Sequence, residues 1–182
     1  MSVLPITVYG DKILSKKTKP IKQVDDRIII LIQNMFETMR NAQGVGLAAN
    51  QVGVDKSIFV MDIKPVEGYE DFKPLVMINP EIVLESEETV YFEEGCLSLP
   101  NLRAEVERPE IIKIKYLDTD EKEQEIEADD FFARVILHEY DHLLGKMIPD
   151  RVDADIKASL KKELILIKNR EAIIDYPVTK KE

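Results

Sequence analysis

The only two histidines of the 182-residue chain stand four apart, in His138-Glu139-Tyr140-Asp141-His142. Side chains at i and i+4 lie one above the other on a helix face, so both imidazoles can grip one metal ion. Glu139 is turned by about 100° from His138 on a helix of ~3.6 residues per turn. It can reach a water on that metal without taking a ligand position. Phe131, Val135, His138 and His142 recur at i, i+4, i+7 and i+11, so the histidines face the way the apolar residues face, into the body of the protein. The plainer reading is a pair of partly buried histidines beside carboxylates on an ordinary amphipathic helix. That reading suits a lone histidine, but it explains poorly why both histidines of the chain hold ligand spacing with a glutamate between them.

A catalytic site of this kind needs three protein ligands and one position open to water. The extended pattern H-E-x-x-H-x-x-G-x-x-H runs as far as Gly145, but position 148 is Ile, so no third histidine follows. Two candidates remain. Glu163, with Glu171 behind it, is the downstream carboxylate of a thermolysin-like site, although Lys161-Lys162-Glu163-Leu164 also reads as a solvated helix face. Cys96, the one cysteine, lies in Glu93-Glu94-Gly95-Cys96-Leu97-Ser98-Leu99-Pro100. Gly95 lets the backbone approach a ligand closely, and a metal lowers the pKa of a thiol. A buried cysteine acting as a small hydrophobe, and a Cys-His hydrolase with His138 or His142 as base, are further readings that the residues alone leave open.

These groups need elements to carry them. Asp25–Asn41 reads as a helix, capped by Asp25 or Asp26, with Ile29, Ile32, Phe36 and Met39 at helical spacing; Gln43-Gly44-Val45-Gly46 breaks it. Ser57–Ile63, Val76–Ile78, Glu81–Phe92, Ile111–Asp118 and Lys122–Ala128 read as strands, with a hairpin turn at Asp118-Thr119-Asp120. The histidine-bearing helix is expected from about Asp130 to Leu144, capped by Asp129 or Asp130 and ended by Gly145. A last helix is expected from Asp153 to Arg170, with Ile156, Leu160, Leu164 and Ile167 on one stripe. This order predicts an α+β fold. Antiparallel or mixed sheets pack around a central metal-binding helix, with an N-terminal and a C-terminal helix. No repeat or linker interrupts it, so one catalytic domain is expected over 1–182, with 153–182 as C-terminal helix and tail.

Hydrophobic residues make up 45% of the chain and charged residues 33%, the balance of a globular protein. No apolar run is long enough for a membrane span, and the N-terminus has no basic start followed by an apolar stretch, so no secretory signal is expected. One cysteine allows no internal disulfide and suits a reducing cytoplasm. The net charge of −10 argues against DNA as a partner. Residues 157–182 depart from it, with seven Lys/Arg against four Asp/Glu. This basic helix suggests docking on ribosomal RNA, and a solvated helix face explains it equally well.

Three stretches, taken together, resemble the peptide deformylases. Gly44-Val45-Gly46-Leu47-Ala48-Ala49-Asn50-Gln51 matches G-x-G-L-A-A-x-Q, Glu94-Gly95-Cys96-Leu97-Ser98 matches E-G-C-L-S, and His138-Glu139-Tyr140-Asp141-His142-Leu143 matches H-E-x-D-H-L. The resemblance covers roughly residues 4–150. It implies Cys96, His138 and His142 as metal ligands, with water as the fourth, and Glu139 as general base and then acid. It implies that the Gln51 side chain and the Leu97 N–H bind the developing oxyanion. It further implies a backbone edge at Val45 and Gly46 that pairs with the peptide, with Gly95, Arg103 and Val135 also touching substrate. Val45 and Val135 are the expected walls of a narrow apolar pocket for methionine, and Arg134 is expected at its rim or paired with an acid. The implied metal is Fe(II) in the cell, with Zn(II), Ni(II) or Co(II) able to substitute. The implied substrate is an N-formyl-methionyl peptide, and the products are formate and a free amino terminus. The competing readings are a zincin-type peptidase using Glu163 and a non-catalytic metal-binding protein.

Overall fold

The computed structural model describes residues 2–181; Met1 and Glu182, the two ends of the expected domain, lie outside the described residues. Helix α1 (Asp26–Asn41) starts where the Asp25 side chain accepts a hydrogen bond from the Ile28 N–H at 3.0 Å, satisfying a donor that the first helical turn leaves free. The chain continues through β1 (Gly46–Ala48), β2 (Ile58–Met61), β3 (Leu75–Glu85), β4 (Thr89–Cys96), β5 (Leu99–Pro109), β6 (Ile111–Leu117) and β7 (Glu123–Asp129). Helices α2 (Asp130–Leu143), α3 (Ala154–Ser159) and α4 (Lys161–Asn169) complete the order. No helix among the described residues is long and apolar enough to cross a membrane.

Two antiparallel sheets result, one in the order β1-β2-β3-β6-β7 and the other the β4-β5 hairpin. Strand side chains alternate between faces, and here both faces of the larger sheet are covered. From β2, Phe59 and Met61 join α2 in one core, while Ile58 and Val60 join Ile28, Ile32, Met35 and Met39 of α1 in another. A third core joins Leu99, Leu102, Ala104 and Val106 of β5 to Leu164 and Ile167 of α4. The expected α+β arrangement around α2 is therefore observed, with every strand pair antiparallel; a parallel bridge joins Ile6 and Val178.

Several expected boundaries are corrected. Val76–Ile78 and the first part of Glu81–Phe92 are one strand, β3, with a register shift at Asn79-Pro80 where Asn79 takes φ 49°. The rest of Glu81–Phe92 belongs to β4, beyond a turn in which the Ser86 hydroxyl donates to the Glu88 carbonyl (2.8 Å). The strands β1 and β5 were not expected. The C-terminal helix is not continuous from Asp153 to Arg170: it breaks at Leu160, because α3 buries no side chain and only Leu164 and Ile167 anchor α4.

Gly145 ends α2 in the left-handed region at φ 73°, and a Cβ built there would lie 2.7 Å from the Lys16 backbone nitrogen. Both the backbone conformation and the close approach require glycine. We expect Gly145→Ala to cost about 1–3 kcal/mol and to lower the melting temperature by roughly 2–4 °C per kcal/mol, measured by thermal unfolding followed by circular dichroism. An unchanged melting temperature would contradict this account of the helix end.

Candidate metal centre

Helix α2 presents its histidines inward because its apolar residues are the buried ones. Ala133, Ile136, Leu137 and Leu143 sink into the core beside the sheet, and the same face carries His142 to full burial and leaves the His138 side chain 11% exposed. The third group comes from the hairpin. β4 ends at Cys96, where the register against β5 shifts between Gly95 and Cys96, an irregularity of the kind that re-aims a side chain. Ligand atoms of Cys96, His138 and His142 all lie within 4.8 Å of one another, and Cys96 Sγ is 3.2 Å from His142 Nε2. One thiol and two imidazoles fit a divalent ion that prefers nitrogen and sulfur, with a coordination position left over. Two imidazoles around one thiol is also one more than a Cys-His pair needs. Glu163 and Glu171 are both exposed and stand outside this group. The zincin reading falls, because α4 turns Leu164 and Ile167 inward and Glu163 to solvent.

The His138 imidazole is held by a buried ionic network that the sequence reading did not assign, whereas the His142 Nδ1 has no partner among the described residues. A carboxylate can only accept, so the His138 Nδ1–H donates to Glu94 Oε2 at 2.9 Å and leaves Nε2 for a metal. Glu94 also accepts from Arg108 (2.6 and 3.0 Å) and Arg134 (3.1 Å). Arg108 donates in turn to Asp141 (2.8 Å), which Arg151 grips through both oxygens. Burial alone would raise the pKa of Glu94, but the hydrogen bonds from His138 and Arg108 outweigh it and hold the carboxyl at about 2. The two imidazoles are driven in opposite directions. Burial lowers His142 well below its ordinary value, whereas for His138 the same burial is overcome by Cys96 and Glu94. Metal binding requires the deprotonated forms and displaces such protons.

Glu139 lies beside the histidines and is only 4% exposed, with Oε2 making no hydrogen bond among the described residues. Burial, aided by the charge of Glu94 and opposed by His138, pushes its pKa up to about 7, the range in which a carboxyl can both take and give a proton. Gly46 makes room for it: a Cβ at position 46 would lie 2.8 Å from Glu139 Cγ and Cδ.

Gln51, on the 3-10 turn Ala49–Val52, is fully oriented. Its Oε1 accepts from the Ala48 N–H at 2.8 Å, so its Nε2 faces Ser98 Oγ at 3.1 Å and Cys96 Sγ at 3.6 Å. Leu97 follows Cys96, and its carbonyl accepts a hydrogen bond from the Tyr176 hydroxyl at 2.7 Å. Val45, Gly46, Gly95, Arg103 and Val135 line one cavity of about 530 Å³ together with Gln51, Cys96, Leu97, His138 and Glu139. All the site residues expected from the sequence therefore meet in one place. Arg134 pairs with an acid, Glu94, and donates to the Val90 and Val106 carbonyls (2.8 and 3.0 Å). Arg103 is exposed, 3.8 Å from an exposed Glu93, a pair of small energetic weight. Sequence reasoning missed Ser98, Arg108, Asp141 and Tyr176 as parts of the site. Glu94 and Asp141 were visible as motif positions without a role, and Tyr176 carried no signal.

A family model described as polypeptide deformylase matches residues 3–158. The chain is 48% identical over 171 residues to the peptide deformylase of Rickettsia canadensis, covering 92% of this chain and 95% of that one. It is 44% identical over 187 residues to that of Salinibacter ruber, covering 99% and 96%. Among solved structures it is similar to the peptide deformylase from Ehrlichia chaffeensis in complex with actinonin, with a TM-score of 0.85 and 40% identity over 95% of this chain and 100% of the other. The Thermotoga maritima peptide deformylase gives a TM-score of 0.78 and 42% identity over 84% and 99%. A match of this extent, on a chain whose thiol and two imidazoles converge as described, means that the chain belongs to the polypeptide deformylase family.

Proposed function

We propose that residues 1–182 act as one cytoplasmic catalytic domain that removes the formyl group from formyl-methionyl ends of new polypeptides. The carrying observation is the convergence of Cys96, His138 and His142 beside a buried, unpartnered Glu139 carboxylate oxygen. The reaction is a hydrolysis: water adds to the formyl carbon, the C–N bond breaks, formate leaves, and the nitrogen gains a proton. A divalent ion would be held by Cys96, His138 and His142 and would supply Lewis acidity there. The thiolate and imidazoles accept Fe(II), our choice for the cell, and also Zn(II), Ni(II) or Co(II).

The chain's own residues do the rest. Glu139 takes the proton from the attacking water and returns it to the leaving nitrogen, a role supported by its burial and raised pKa. The Gln51 Nε2–H and the Leu97 N–H donate to the formyl oxygen as it gains charge. The Gln51 amide is oriented for this by its bond to the Ala48 N–H; one Nε2 hydrogen stays on Ser98 Oγ, and the one facing Cys96 Sγ at the longer 3.6 Å turns to the formyl oxygen. β1 is the outer strand of its sheet, which leaves Val45 and Gly46 an edge on which an extended peptide can pair. Val45 and Val135 wall the methionine pocket, Gly95 faces it across the cavity, and Arg103 stands at the mouth. The exposed lysines 157, 161, 162 and 168 support docking of α3 and α4 on ribosomal RNA.

Glu139→Gln is expected to lower kcat for formate release from formyl-Met-Ala by about 10²–10⁴ while keeping its metal, and a chelator should abolish wild-type activity; near-normal turnover of the variant would remove Glu139 from this role. Metal analysis of anaerobically purified protein should find iron in the wild type and in Glu163→Gln, and little metal in Cys96→Ala. Predominant zinc in the wild type would refute the choice of iron, and full occupancy of Cys96→Ala would refute the ligand set. The docking idea is tested by charge rather than by truncation, because Leu164 and Ile167 belong to the core. The triple change Lys157→Glu, Lys161→Glu, Lys162→Glu should abolish ribosome co-sedimentation, and undiminished co-sedimentation would dispose of it.

A further inference from the structure

The segment after α4 is not a loose end. Arg170 takes φ 63° and reverses the chain, its Nε–H donating to the Thr179 carbonyl at 2.9 Å. Asp11 holds both Arg170 and the Thr179 hydroxyl (2.5 and 2.7 Å). Residues 177–179 then pair with Ile6: the Ile6 N–H donates to the Pro177 carbonyl and the Thr179 N–H to the Ile6 carbonyl, each at 2.9 Å. Farther back, the Asn101 side chain donates to the Ile173 carbonyl at 2.7 Å. The tail is thus tied down on both sides of residue 176.

The N-terminal segment under this tail is itself bound to the reaction site. The Thr7 N–H donates to the Gln51 carbonyl (2.8 Å), the Thr7 hydroxyl to the Asn50 carbonyl (2.9 Å), and the Tyr9 N–H to the Ser98 carbonyl (2.9 Å). One side of each oxyanion donor is accounted for in this way. The remaining free carbonyl of the loop that bears the second donor is that of Leu97, and the Tyr176 hydroxyl takes it at 2.7 Å while the ring lines the substrate cavity.

We propose that Tyr176 is a positioning residue for deformylation, held by the C-terminal tail so that its hydroxyl fixes the Leu97 carbonyl and thereby the direction of the Leu97 N–H toward the formyl oxygen. This rests on the oxyanion roles given above to Leu97 and Gln51. Leu97 sits between a ligand, Cys96, on one side and Ser98, whose carbonyl is already bound, on the other. The Leu97 carbonyl lies in the Leu97–Ser98 peptide and the Leu97 N–H in the preceding Cys96–Leu97 peptide, so holding the carbonyl restrains that N–H through the Leu97 Cα, by limiting rotation of one residue between two anchored neighbours. Burial raises the Tyr176 phenol pKa, so the hydroxyl remains a proton donor throughout the working range. Loss of the hydroxyl frees the Leu97–Ser98 peptide and leaves the donor in place on the adjoining Cys96–Leu97 peptide, so the effect is smaller than deleting an oxyanion donor outright.

The test is steady-state kinetics of the full-length, metal-loaded Tyr176→Phe enzyme on formyl-Met-Ala, with Gln51→Leu in parallel. Tyr176→Phe should lower kcat about five- to tenfold, against roughly 10²–10³ for losing a donor. KM should stay within about twofold and metal content should be unchanged, since the ring and its packing remain, while the melting temperature should fall by only a few degrees for the one lost hydrogen bond. Thr179→Val, which loosens the tail from outside the cavity, should move kcat alone and in the same direction. An unchanged kcat for Tyr176→Phe, a rise in KM alone, or a loss that tracks missing metal would overturn the inference. If Gln51→Leu still loses activity in that event, the oxyanion reading survives and only the role of Tyr176 fails; if neither variant is impaired, both fall.

Discussion

One buried carboxylate couples the hairpin that ends in Cys96 to the helix that carries both histidines. Glu94 lies two residues before Cys96 on β4 and accepts from His138, Arg108 and Arg134 at once. Arg108 stands on β5 and reaches on to Asp141 of α2, and Arg134 stands on α2 itself. The Glu94–Arg108 pair joins the two strands of the hairpin, while Glu94–Arg134 and Arg108–Asp141 tie hairpin to helix, so the separation of the thiol from the imidazoles is set by ion pairs less than 5% exposed. Such pairs give little net stability over an apolar packing, because desolvation offsets the attraction, but removing one partner strands a charge at a cost of about 3–5 kcal/mol. The network is therefore a device for holding geometry: the hairpin cannot slide along α2 without exposing or orphaning a charge.

The legible and illegible parts of the molecule divide along the same physical line. Spacing alone marked His138, Glu139 and His142, because helical geometry converts sequence offset directly into facing side chains. Cys96 lies in a different element, and no local rule ranks it against Glu163; its place in a motif of known type did that. β5 alternates buried Leu102, Ala104 and Val106 with exposed Arg103, Glu105 and Glu107, the period of a half-buried strand; it went unread because Ala, Arg and Glu are weak strand formers and Pro100 and Pro109 bracket the run. Asn79-Pro80 looks like a strand end, yet Asn79 tolerates a positive φ and the ladder resumes beyond it. Conversely the Ser86-Glu87-Glu88 turn has neither Gly nor Pro, and the reading ran through it.

The tail was illegible for a different reason. Residues 171–181 have no periodicity, and what orders them is a set of hydrogen bonds to Ile6, Asp11, Leu97 and Asn101, positions more than 70 residues away in the chain. No window of sequence contains both halves of those contacts. The lysine-rich composition of the C-terminal region pointed outward to a partner, while the contacts that shape it point inward to the site.

The site thus joins two kinds of support. The metal ligands and Glu139 stand on α2 and β4, whose long hydrogen-bonded ladders and buried charges make them rigid. Gln51 and Leu97, the donors we propose for the oxyanion, stand on a four-residue 3-10 turn and on a tight connection of two residues between β4 and β5, neither of which has a ladder of its own. Rate in a hydrolase depends on such donors being aimed before charge develops, and short segments cannot hold their aim unaided. The missing hydrogen bonds are supplied from outside: Thr7 and Tyr9 bind the backbone on both segments, and Ile6 in turn is bound by the tail. Residues 6–9 and 176–179 in this sense support the proposed active site, and the parallel bridge between residues 6 and 178 is the place where one segment steadies the other.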